Sequence, residues 1–333
     1  MEKIKAILLV NLGTPDSPEV KDVRKYLKVF LNDPRVIDQR WVRWIIMNLF
    51  VIPFRCFASA KIYKELWTPE GSPLLIYGNK LKEKVQESLP SNYKVFLAMR
   101  YGNPSLEKAL EEIRAYNPDE ITILPLFPQY ASASTGSVVE RVMKLMSKWQ
   151  AFPDIKFINQ FYNHEHFCDL FAENGEKYKP NDYDHVVFSF HGLPERQVDD
   201  VYLKGLCKDK GCNESISQEN KLCYKATCYE TARRIADKLN IAENHYTVAF
   251  QSRLGGGWLE PFSDHVIKER AKKGDKKLLF FSPSFISDCL ETTIEIGMEY
   301  QELFEEHGGE KIQLVESLND NPNWVNFVSN LVR

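Results

Sequence analysis

Two patterns of apolar and polar positions alternate along the chain. The first is the short, largely apolar run, unbroken at Ala6–Val10 (AILLV) and repeated at Val95–Met99, Ile121–Leu126, Ile155–Ile158, His185–Phe190 (HVVFSF), Tyr246–Phe250 (YTVAF), Lys277–Phe281 (KLLFF) and Ile312–Val315. Runs this short and this apolar predict parallel strands covered on both faces. The second is helical periodicity. Ser17 is placed to cap a helix through Phe30, with Val20, Val23, Tyr26, Leu27 and Phe30 on its inner face. Gly71-Ser72-Pro73 opens another helix ending near Ser88, and Ser105 starts a third with Leu106, Leu110 and Ile113 inward.

The alternation gives four β units in each half. It predicts an α/β fold of two doubly wound, Rossmann-like domains, 1–160 and 161–333, with parallel four-stranded sheets and a cleft between them. In such sheets ligands sit beyond the carboxyl ends of the strands. The first strand–turn–helix unit, through Asn11-Leu12-Gly13-Thr14-Pro15, lacks G-x-G-x-x-G, so no dinucleotide site is expected there.

Two stretches depart from the alternation. Trp41–Phe54 (WVRWIIMNLFVIPF), within an apolar lip segment 37–58, carries only Arg43 as a charge and is flanked by Arg40, Arg55 and Lys61. Three readings stand: a segment lying on a membrane surface, the lip of a pocket for a flat apolar ligand, or an ordinary buried helix. Periodicity does not separate them. Ser284–Tyr300 (SFISDCLETTIEIGMEY), read as a helix, stripes Leu290, Ile294 and Met298 on one side. It leaves an acidic seam of Glu291, Glu295 and Glu299 with Asp288 beside it. Like charges four apart cost roughly 0.2–0.5 kcal/mol per pair, so the seam either faces water or attracts cations. Spacing alone favours water. Its place directly after a strand of the second half moves the reading toward a ligand site.

Composition narrows the class. The chain has 333 residues, 44% hydrophobic and 27% charged, enough to bury two cores. A net charge of −3, from 43 basic and 46 acidic residues, leaves no footprint for nucleic acid. No apolar run reaches the ~18 residues of a membrane span, and the N-terminal run reads as a strand rather than a signal peptide. The expected compartment is the cytoplasm, with a peripheral seat on the inner membrane face if 41–54 lies on a membrane.

Seven cysteines in a cytoplasmic chain argue against a disulfide framework. Four of them, Cys207, Cys212, Cys223 and Cys228, fall within a Cys-rich insert at 203–229 in the order C-x4-C-x10-C-x4-C, with Lys204, Lys208, Lys210, Lys221 and Lys225 around them. Four thiolates suit zinc or an iron–sulfur cluster. His191 follows HVVFSF at a strand's carboxyl end, where an imidazole can act as base, bind metal or simply cap a loop. No G-x-S-x-G elbow supports a nucleophilic triad, and nothing near Cys289 in sequence would activate its thiol.

The motifs at the strand ends resemble those of the ferrochelatase family. They are Leu12-Gly13-Thr14-Pro15, Arg100-Tyr101, Pro128-Gln129-Tyr130 with Ser134-Thr135-Gly136-Ser137, Ser189-Phe190-His191-Gly192-Leu193-Pro194, Phe250-Gln251-Ser252-Arg253 with Trp258, and Ser287-Asp288-Cys289-Leu290-Glu291-Thr292. The resemblance implies a chelatase fold and insertion of Fe2+ into a free-base porphyrin, protoporphyrin IX, as the last step of haem synthesis. It puts the active-site histidine at His191 and the active-site glutamate at Glu291, which would also hold the Fe2+ substrate. Glu295 and Glu299 fall in the family's line of acids on a π-bulged helix, and with Asp288 they would relay protons or metal. Leu12, Arg100, Tyr101, Tyr130, Ser132, Ser134 and Trp258 are the residues expected at the porphyrin, with Trp41 and Trp44 near the mouth of its pocket. Some bacterial members carry a [2Fe–2S] cluster on four cysteines, and the insert holding Cys207, Cys212, Cys223 and Cys228 resembles one such version; structural zinc is the alternative. The sequence departs from the family pattern at Cys289, where many members have His, and at Leu12, where some have Tyr. Two other functions fit the same residues: a cobalt or nickel chelatase for another tetrapyrrole, and a non-catalytic haem- or iron-binding protein with a redox-sensing cluster.

Overall fold

A computed structural model describes residues 2–37, 47, 51–253 and 255–333. Most of the stretch 41–54, Trp41 and Trp44 included, lies outside the described residues, which take in only 47 and 51–54 of it. By packing, the chain divides into two units. One comprises residues 1–127, 132–160 and 319–333, the other residues 128–131 and 161–318.

The first unit is a four-stranded parallel sheet of β1 (Lys5–Asn11), β2 (Tyr93–Met99), β3 (Glu120–Pro125) and β4 (Asp154–Phe157), in the order β2-β1-β3-β4. Its helices are α1 (Val20–Leu31), α2 (Ile52–Leu66), α3 (Pro73–Ser88), α4 (Leu106–Tyr116) and α5 (Ser137–Met146). A short π-helix, Ser132–Gly136, leads into α5, and the C-terminal helix, Pro322–Val332, packs on α3. Ala6 through Val10 are wholly buried, as a strand covered on both faces must be. Ser105 caps α4, its hydroxyl accepting the Lys108 N–H. Ser17 does not cap α1. Its hydroxyl donates to Asp22, and the helix begins at Val20, with Glu19 as a cap that makes no side-chain bond.

The second unit repeats the plan. β5 (His185–His191), β6 (Tyr246–Gln251), β7 (Lys277–Phe281) and β8 (Lys311–Leu314) run parallel in the order β6-β5-β7-β8. The helices are α6 (Phe167–Glu176), α7 (Glu195–Asp199), α8 (Tyr224–Lys238), α9 (Ser263–Lys272) and α10 (Gln301–Glu306). In each sheet the chain leaves the first and third strands in opposite directions. The topological switch points, where a crevice opens beyond the strand ends, therefore lie between β1 and β3 and between β5 and β7.

The acidic segment starts later than the helix expected at Ser284–Tyr300 and has the π winding that the resemblance implied. Residues 284–289 are irregular, and Leu290–Tyr300 form a π-helix that passes into α10. Widening the turn from i→i+4 to i→i+5 changes which side chains share a face. Thr292, Ile294, Ile296 and Tyr300 are buried, whereas Met298, expected on the apolar stripe, is 43% exposed. No helix among the described residues is long and apolar enough to cross a membrane.

Candidate active site

In the second unit, β5 delivers His191 as its last residue, beside its register partner Gln251 on β6. The His191 Nδ1 lies 2.7 Å from the Gly192 carbonyl oxygen. A carbonyl only accepts, so the geometry assigns a proton to Nδ1, and whenever the ring is neutral its lone pair falls on Nε2, the nitrogen that can act as base or ligand. Only glycine fits after it: a Cβ on Gly192 would sit 2.8 Å from the Gln251 carbonyl oxygen and 3.3 Å from the half-buried Trp258 ring.

Gln251 ties this strand end to the π-helix. Its Oε1 accepts the Ser189 hydroxyl at 2.7 Å, which fixes the amide. Its Nε2 then donates to the Glu291 backbone carbonyl at 2.9 Å and to Glu295 Oε2 at 3.0 Å. Glu295 also accepts the Ser252 N–H, the Ser252 hydroxyl and the Tyr300 hydroxyl. Burial, and next the Glu295 charge, push the Tyr300 hydroxyl far above the ordinary phenol range, so it remains a donor. Glu291 and Asp288 are half-buried and Glu299 is exposed. Cys289 is buried. Burial and the neighbouring Glu291 charge push its thiol well up, which keeps it unreactive.

In the first unit, Arg100 and Tyr101 follow β2 and meet a carboxylate that the sequence reading missed. Asp33 Oδ2 accepts from the Arg100 guanidinium, the Tyr101 hydroxyl and the Ser137 hydroxyl, while Oδ1 accepts the Arg35 N–H. Burial would push the Asp33 carboxyl up. The Ser137 hydroxyl, the Arg35 N–H, the Tyr101 hydroxyl and the Arg100 charge outweigh it and hold the carboxyl below its usual range. Arg35 reaches Ser132 Oγ at 2.8 Å and pairs with Glu140. Ser134, Tyr130 and Leu12 are half-buried, and Tyr101 is buried. The turn bearing Leu12 closes against Arg100-Tyr101 so tightly that a Cβ on Gly13 would stand 1.7 Å from the Tyr101 carbonyl oxygen. In sequence, Asp33 carried only a turn signal, the Pro34 that follows it.

The Cys-rich insert brings three sulfurs together. Cys207, Cys212 and Cys223 are buried with their Sγ atoms within 4.8 Å of one another, Cys207 to Cys223 at 3.5 Å and Cys212 to Cys223 at 3.7 Å. A tetrahedral metal with Zn–S bonds of about 2.3 Å separates its thiolates by about 3.8 Å, so these sulfurs stand at one-metal spacing. Cys223 occupies the N-cap position of α8 without a side-chain cap bond, and its contacts with the Cys207 and Cys212 thiols draw its own thiol down while theirs are pushed up. Cys228, inside α8, is buried but not part of this close triad. All seven cysteines are free, so no disulfide competes for them. The Tyr202 hydroxyl, also missed from sequence, lies 2.9 Å from Cys212 Sγ.

A family model described as Ferrochelatase matches residues 4–333. The ferrochelatase of Coxiella burnetii is 45% identical over 338 aligned residues, covering 98% of this chain and 92% of the relative. That of Legionella pneumophila is 40% identical over 330 aligned residues, covering 98% of each. Among solved structures, SirB from Bacillus subtilis with Fe3+ superposes with a TM-score of 0.53 at 12% identity, over 98% of this chain and 93% of that one. The sirohydrochlorin chelatase SirB from Bacillus subtilis subspecies spizizenii in complex with cobalt gives the same score and identity over 99% and 94%. These two likenesses concern the fold alone. The match across nearly the whole chain shows that it belongs to the ferrochelatase family.

Proposed function

We propose that this chain is a ferrochelatase that inserts Fe2+ into free-base protoporphyrin IX, yielding haem and releasing both pyrrole protons. The observation that carries the reading is His191. It ends the central strand β5 with Nδ1 tied to a carbonyl and Nε2 left over, next to a Gln251 that grips the helix bearing Glu291. A flat macrocycle shields its nitrogens and keeps two N–H groups, so the enzyme must take protons and deliver a cation. His191 Nε2 accepts a pyrrole proton or presents the metal, and Glu291 works beside it. Asp288 and Glu299 pass protons or cations along the seam. Glu295, expected to share that work, has its acceptor capacity taken by four donors. Leu12, Tyr130, Ser132, Ser134 and Trp258 are assigned to porphyrin contacts. Arg100 and Tyr101 support that assignment by holding their loop through Asp33.

The reading is tested by the loss of porphyrin fluorescence on adding Fe2+ or Zn2+. His191→Ala and Glu291→Gln each lower turnover by about 100-fold or more, the usual worth of a general acid–base group, while porphyrin affinity stays near wild type. Near-normal turnover in both variants contradicts the mechanism. Porphyrin binding without turnover in the wild type favours the non-catalytic binding protein instead.

The four-cysteine insert is assigned a [2Fe–2S] cluster, held by Cys207, Cys212, Cys223 and Cys228. The free buried thiols, three of them at one-metal spacing, support a thiolate-bound metal. Such a group supplies structural cross-linking; metal insertion is not a redox reaction and needs no electron from it. A peripheral membrane seat near 41–54 is assigned from Phe54 and Phe57 on α2, 74% and 59% exposed, with Arg24 beside Phe57 and Arg55 between the two rings in sequence. Liposome flotation should fall when both phenylalanines become Ser. Unchanged flotation rules the seat out.

A further inference from the structure

The geometry points to Glu295 as a positioning residue, a latch that holds the π-helix against the end of β6 and so sets Glu291 in place. It deepens the chelatase reading above and rests on it. The acids Glu291, Glu295 and Glu299 look equivalent in sequence, four residues apart. Their surroundings are not equivalent. Glu295 Oε1 accepts the Ser252 N–H at 2.9 Å and the Tyr300 hydroxyl at 3.0 Å. Glu295 Oε2 accepts the Gln251 amide at 3.0 Å and the Ser252 hydroxyl. A carboxylate offers about four lone-pair sites, and here each is met by a donor. A proton arriving at either oxygen would force the Ser252 or the Tyr300 hydroxyl to turn from donor to acceptor and give up the bond it makes now. A group that carries protons or metal in turn has to release its partners at each step; this one is built to keep them.

Three features show what the latch holds. Gln251 is 1% exposed, and its amide bridges Glu295 and the Glu291 backbone carbonyl, so the carboxylate and the carbonyl are gripped by one group. Gln251 is also the register partner of His191, and its own carbonyl accepts the Gly192 N–H at 2.8 Å. The grip therefore ties the position of Glu291 to that of His191. Ser252 has a left-handed backbone with φ of 62°, unusual for a residue with a Cβ, and this turn points both its N–H and its hydroxyl at Glu295. The helix itself is π over Leu290–Tyr300, a winding rarer than α and found mostly at functional sites. Its sequence, with Thr292, Thr293, Ile294, Ile296 and Gly297, has little intrinsic preference for α winding. Contacts made by Glu295 at its middle, Tyr300 at its outer end and Gln251 at its start select the register.

The test is a double-mutant cycle on the full-length enzyme with protoporphyrin IX and Zn2+ or Fe2+, joined to amide hydrogen exchange. Glu295→Gln should lower kcat by about 10-fold or more and leave the KM for metal within about 2-fold. Ser252→Ala and Tyr300→Phe should each lower kcat, and either one combined with Glu295→Gln should add nothing, because all three changes break one unit. Exchange at residues 251–252 and 291–295 should quicken in Glu295→Gln while the global unfolding midpoint holds. If Glu295→Gln does not fold, Ser252→Ala and Tyr300→Phe carry the cycle between them. A raised metal KM, additive losses and unchanged exchange would overturn the latch and return Glu295 to a relay. An inactive wild type would sink the chelatase reading while the exchange measurement still judges the latch.

Discussion

At Asp33 three donors converge on one carboxylate oxygen, a convergence that the sequence does not show. Arg100 and Tyr101 were legible as a pair at a strand end, but their partner lies 67 and 68 positions away, beyond any local pattern. His185 is the converse case, a histidine whose surroundings matter more than its motif. It is 2% exposed, with Nε2 at 2.8 Å from the Thr247 hydroxyl. Burial, and then the Arg270 charge, push its imidazole down to about 3. The unfolded chain takes up a proton there near pH 6.5 and the folded chain does not. Stability is therefore full above about pH 6.5 and falls as pH drops toward the folded value, by at most about 1.4 kcal/mol per pH unit. His185→Gln should flatten that part of the pH–stability curve, measured as urea midpoints from pH 7 to pH 4. An unchanged slope would show that other groups carry it.

At the scale of elements, strands were more legible than helix starts. Parallel strands announce themselves as short, largely apolar runs, and all eight appear within a residue or two of theirs, although the edge strand β4 is exposed rather than covered on both faces. Ser17 misplaced the start of α1 because its hydroxyl found Asp22 rather than a helix N–H. The π-helix was invisible to a period of 3.6, and its contacts with Gln251 and Ser252 join residues 40 or more positions apart that no local pattern links. The Cys-rich insert was legible as a cysteine cluster from spacing. What spacing could not show is that Cys207, Cys212 and Cys223 close up while Cys228 stands on the helix behind them. Purified protein should be brown, with visible bands and about two irons per chain if the cluster is of the [2Fe–2S] type. A colourless protein with one zinc would make the insert a structural zinc site. In either case Cys223→Ser should abolish metal retention.

Over the whole molecule, two sheets with the same strand order place their functional loops by one rule, the switch point between the first and third strands. That rule made the candidate residues findable before any contact was known. His191, Gln251 and the loop after β7 gather at the ends of the second sheet, and the Leu12 turn and Arg100-Tyr101 gather at those of the first. The crossover order itself was not legible, because strand order depends on which faces the helices cover and not on any one run. The central claim is that His191 and Glu291 perform the metal insertion. Single-turnover fluorescence of bound protoporphyrin IX after Fe2+ addition, recorded together with proton release, tests it most directly. The wild type should lose porphyrin fluorescence and release both pyrrole protons in step, and His191→Ala should bind the porphyrin yet do neither. Wild-type rates of fluorescence loss and proton release in His191→Ala would contradict it.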